Sequence, residues 1–107
     1  VRGTRESTNV PSQALYLMNN PFITENAMQM AKRLAAGYST TKERIVAAFQ
    51  QSYSRAPSDT EMRVTVQFLK QFYEAVSEDG NQNIAIQKSL ATFCQGLISS
   101  AEFRYLY

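Results

Sequence analysis

The stretch "TTKERIVAAFQQSYSRAPSDTE", Thr40 to Glu61, carries one local signal twice and decides the fold class. Thr40 stands three residues before Glu43, and Ser58 three before Glu61. In such a capping box the hydroxyl accepts an orphan amide of the first helical turn, while the glutamate reaches back to the cap residue's own amide. The first box opens a helix with Ile45, Ala48, Phe49, Ser52 and Tyr53 on one face. The second, just after Pro57, opens a helix with Met62, Val66, Leu69, Tyr73 and Val76 at helical spacing, ended by Gly80 in the polar run "SEDGNQN".

The same grammar extends in both directions. Upstream, Pro21 suits the first position of a helix with Asn20 as its cap. Ala27, Met30, Ala31, Leu34 and Tyr38 then share one face, and Gly37 is the expected C-cap. Before it, "TNVPSQALYLMNNPF" (Thr8–Phe22) reads as a short helix started by Pro11, capped by Thr8, Asn9 or Ser12, and ended at Asn19 or Asn20. Downstream, a helix from about Asn83 to Ser99 is apolar around much of its circumference. Ile86, Leu90, Phe93, Cys94 and Leu97 form one face, which Ile84, Ala91 and Ile98 widen. A helix of that kind belongs at the centre. Ser99 or Ser100 is the expected cap of a short terminal turn.

No segment alternates like a strand. The expected fold is therefore all-α: a compact bundle of four to five main helices in antiparallel pairs, with a short C-terminal helical turn. Residues 10–107 form one domain, and 1–9 an irregular lead-in cut from a larger protein.

Composition narrows the chemistry. At 107 residues the chain supports a single core. Its net charge of +2, from 11 basic and 9 acidic residues, is small, and the basic residues are scattered rather than gathered on one face. Nucleic acid is not an expected partner. Histidine is absent, which removes the commonest general base and metal ligand. The single Cys94 excludes an intrachain disulfide, and no haem-attachment motif is present. No apolar run reaches the roughly 18–20 residues of a transmembrane helix. No catalytic, cofactor-binding or metal-binding residue is assigned.

The polar and aromatic candidates each carry a structural reading beside a functional one. Gln13, Asn19 and Asn20 either recognise a ligand or satisfy the backbone groups of a tight helix junction. Arg55 either binds an anion or neutralises a helix end, in a buried pairing with Glu61 or Glu102. Glu61 and Glu102 are a conceivable carboxylate pair, although capping explains each more simply. Cys94, on the apolar face, reads as a small hydrophobe. Phe68 and Phe72, one turn apart beside the main stripe, form a second contact face. Tyr105 and Tyr107 are candidate interface anchors.

Three pieces occur in order: "TNVPSQALYLMNNPF", "YSRAPSDTE" (Tyr53–Glu61) and "FCQGLISSAEFRYL" (Phe93–Leu106). Together they resemble the C-terminal part of the planctomycete PSD1 domain, also called DUF1553, over about Arg5 to Leu106. Ser54 stands where that family commonly has glycine, and Ala56 where a second proline is common. The resemblance implies a large, exported bacterial protein, periplasmic or extracellular, with a cytochrome c-like domain upstream. Any haem c would sit in that other domain, not in this chain.

The leading functional expectation is a non-catalytic structural or protein-interaction module, its partner being upstream domains of the same polypeptide or another protein. The alternative is a fragment completing a hydrolytic or redox active site built mainly by upstream residues, with Arg55 and Glu102 as its polar contributors. A carbohydrate-binding helper ranks last, for want of a tryptophan platform.

Overall fold

A computed structural model describes the backbone of residues 20–77 and 81–106, and the side chains of 20–77 and 81–101. The expected first helix, the lead-in, Gln13, Asn19 and Tyr107 lie outside these residues, as do the side chains of Glu102 and Tyr105. Four helices follow in order: α1 (Pro21–Gly37), α2 (Thr41–Tyr53), α3 (Asp59–Val76) and α4 (Gln82–Leu106). No strand occurs among the described residues.

Each start is chemically specified. Asn20 Oδ1 accepts the Phe22 amide at 2.8 Å, with Pro21 at the first helical position, where a missing N–H is harmless. Both capping boxes form: Thr40 and Glu43 exchange amides at 3.2 and 3.2 Å, Ser58 and Glu61 at 3.1 and 2.8 Å. Asn81 caps α4 by accepting the Ile84 amide at 3.1 Å.

Three ends differ from expectation. α3 stops at Val76 with Ser77 as its C-cap, ahead of the expected Gly80, which lies outside the described residues. Gly37 is the last helical residue of α1 and takes no left-handed φ; the C-cap is Tyr38, in extended conformation. The open carbonyls there are met by Arg44 from α2, whose Nε donates to Tyr38 O at 3.0 Å and Nη2 to Ala35 O at 3.2 Å. A guanidinium does the work assigned to the glycine, because the chain leaves α1 extended and needs no left-handed residue. Nor does α4 break at Ser99 or Ser100. It continues to Leu106 with Ser99 buried inside it, since the residues that follow are mostly good helix formers and neither Gly nor Pro intervenes.

Contacts along α4 fix the topology. Gln95 donates to Thr24 near the start of α1 at 3.5 Å, while Ala36 at its other end shares a cleft with Asn83, so α1 and α4 are antiparallel. Arg44 shares a cleft with Ile86, and the Tyr53 hydroxyl donates to Leu97 O at 3.4 Å, so α2 runs parallel to α4. Successive helices therefore alternate up and down. α4 packs on all three others, whereas the backbones of α1 and α3 stay apart. The core joins Met30 and Leu34 of α1, Ile45 and Phe49 of α2, Leu69 of α3, and Leu90, Cys94 and Leu97 of α4. The central place expected of the last long helix is the one it occupies.

Ser54 ends α2 in the left-handed region, at φ 59° and ψ 30°, with its amide bonded to Gln50 O at 2.9 Å. A side chain there is strained, and glycine is not. Ser54→Gly is expected to stabilise the chain by about 0.5–1 kcal/mol in denaturant unfolding.

Candidate functional site

The densest polar arrangement lies in the five residues between α2 and α3. Once Ser54 has reversed the chain, Arg55 faces the first turn of α3. Its Nη1 and Nη2 donate to the two carboxylate oxygens of Glu61 at 2.8 and 3.0 Å, a bidentate geometry. Nη1 also donates to Ala56 O at 3.0 Å. The guanidinium carbon lies 5.8 Å from the Phe49 ring centre and 5.5 Å from that of Tyr53, within cation–π range.

Glu61 thus serves three donors, because its Oε1 accepts the Ser58 amide as well. The Arg55 hydrogen bonds, and then the Ser58 amide, hold its carboxyl down to about 2 from an ordinary 4.5. Glu61 in turn pushes the Arg55 guanidinium up. The pair is not the buried one anticipated: its side chains are 44% and 36% exposed, because five linking residues keep the turn at the surface. Aromatic contacts tie it to the interior. Phe49 meets Tyr53 edge-on at 5.7 Å and Phe93 of α4 at 6.1 Å.

The other candidates are dispersed. Asn20 is occupied as a helix cap, and no hydrogen bond among the described residues joins it to Arg55. Phe68 and Phe72 stack tilted at 5.8 Å; Phe68 is exposed, and Phe72 lines a groove with Met28, Ile84 and Ala91. Cys94 is fully buried, and burial pushes its thiol up to about 12. Among the described residues no three His, Cys, Asp or Glu side chains gather as metal ligands, and no helix is long and apolar enough to cross a membrane.

Sequence reasoning passed over Arg44, whose cue was a cation within reach of the α1 carbonyls just before it. It also passed over Asn81, three residues before Ile84 in a capping position, and over Thr65, buried on α3 by its neighbours rather than by its own polarity.

A family model for PSD1, a protein of unknown function (DUF1553), matches residues 1–69. The chain belongs to the PSD1 family. The match takes in the Thr8–Phe22 motif and the whole Arg55–Glu61 turn and ends within α3, so the closing Phe93–Leu106 run lies beyond it. Neither a curated protein nor a solved structure matches the chain.

Two outcomes follow from this geometry. Glu61 has a depressed folded pKa, so its contribution to stability is present above pH 4.5 and is lost as the pH falls towards about 2. Urea unfolding between those values is expected to show a decline in stability that Glu61→Gln flattens. Separately, Cys94 is expected to resist a thiol reagent at pH 8 in the folded chain and to react at once in denaturant, because a desolvated thiol holds its proton.

Proposed function

We propose that this PSD1 chain is a non-catalytic structural and protein-interaction module. The observation that carries this reading is how the Arg55–Glu61 turn uses its groups. Both carboxylate oxygens of Glu61 accept from Arg55, one also takes the Ser58 amide, and the guanidinium lies over two rings. Such a cluster fastens α2 to α3 and leaves little with which to hold a reacting group. The surface adds support, with Met28, Ile84 and Phe68 at 45%, 50% and 38% exposure around the half-buried Phe72. Large apolar side chains grouped in this way are what an interface covers.

On this reading the partner surface is the rest of a large exported bacterial polypeptide or a protein bound to it, as the family resemblance implies. The haem c of that polypeptide would belong to a different domain.

The test uses the complete polypeptide beside this chain. Met28→Asp with Ile84→Asp is expected to leave the melting temperature of the chain within about 2 °C, since substitutions at exposed positions are nearly neutral. In the complete protein the same pair is expected to expose the domain to limited proteolysis. Loss of a hydrolytic or cytochrome-linked turnover on Arg55→Ala, with folding intact, would overturn the non-catalytic assignment.

A further inference from the structure

On the opposite side of α3 from that apolar surface, a cleft of about 330 Å³ opens where the start of α2 meets α3 and α4. Its floor is apolar, made by Val66 and Leu69 of α3 with Ile86 and Leu90 of α4. Its polar rim carries two cations, Arg44 and Lys70, and no carboxylate or carboxamide side chain lines it. Arg44 spends two N–H groups on the end of α1, so three of its five donors remain for another acceptor. Lys70 makes no ion pair among the described residues, although it also borders a neighbouring groove with Glu74, one turn along the same helix; Glu74 itself does not line the cleft.

We infer that this cleft binds a small amphiphilic anion: a carboxylate or sulfonate on a short aliphatic chain. The tail would displace water from the floor, and the head would sit between Arg44 and Lys70, using the donors of Arg44 that the end of α1 leaves over and an ammonium that has no ion pair among the described residues. The volume lies at the small end of the roughly 300–1,000 Å³ common for ligand pockets, and the space between helices of a bundle is a usual place for one. A neutral hydrocarbon would leave the cations unserved. Thr41, Tyr73 and Ser89 add three hydroxyl-bearing side chains to the lining, few for a multiply polar ligand such as a nucleotide. The inference is independent of the interaction reading, because it uses another face.

The probe is octanoate, titrated into the ¹⁵N-labelled 107-residue chain, with 1-octanol as its uncharged twin. Saturable amide shifts are expected in α3 and α4 around Leu69, Lys70, Ile86 and Leu90, with a Kd of about 1 mM for a ligand of this size. Octanol is expected to bind about three- to fivefold more weakly, the worth of one exposed ion pair. Lys70→Gln, a substitution at an exposed position, is expected to erase that preference, and Lys70→Arg to keep it. Phosphatidylglycerol vesicles distinguish a membrane source of the same chemistry. Equal binding of octanoate and octanol, shifts spread over all four helices, an unchanged preference in Lys70→Gln, or binding of vesicles without saturation by octanoate would each overturn the proposal.

Discussion

A helix that carries apolar side chains on most of its circumference cannot be satisfied by one neighbour. α4 is such a helix, and the remainder of the fold answers its demand. α1 covers it along its length in the antiparallel sense, α3 lies on another side, and α2 closes the gap between them through Phe49 and Tyr53. Ala27, Ala31 and Ala48 are fully or almost fully buried, small enough to let backbones approach. Cys94 sits at the centre as one more small apolar group, which is why its thiol is withdrawn from chemistry.

The links between helices are short, so each must be specified closely. Between α1 and α2 the specification is shared: the Thr40 capping box starts one helix while Arg44, a turn later, closes the preceding one. Between α2 and α3 it is concentrated in Arg55 and Glu61. Exposed ion pairs are usually weak, since solvent screens them and ordering two long side chains costs entropy. This pair has bidentate geometry, a glutamate already held by its capping box with Ser58, and two rings within reach of the guanidinium. Those features reduce the entropy still to be lost when the contact forms. They also account for a motif of charged residues without requiring a reaction.

One buried group has no such account. Ser99 is 1% exposed, and its hydroxyl has no hydrogen-bond partner among the described residues. Unsatisfied buried polar atoms are rare because each forfeits its hydration. It occupies the same end of the bundle as Asn20 and Arg55, where α1 begins and α2 ends.

How much was legible in the sequence depended on the range of the interaction. Asn20, Thr40 and Ser58 act on amides two or three residues away, so their type and spacing were enough to place three helix starts. The period of Ala27, Met30, Ala31 and Leu34 marked the buried face of α1, because burial on one side of a helix must repeat with its turn. The apolar girth of the last helix placed it at the centre. What only the tertiary structure decided involves partners from different elements. Arg44 replaces Gly37 at the end of α1 because α2 folds back within reach. Ser99 stays helical although its residue type favours a cap, because it is buried within α4 and the residues after it continue the helix. The surface position of the Arg55–Glu61 pair, and the place of Arg44 and Lys70 in one cleft with an apolar floor, follow from how the helices are stacked. Local chemistry determined where the helices begin; packing between them decided where several end and which side chains meet.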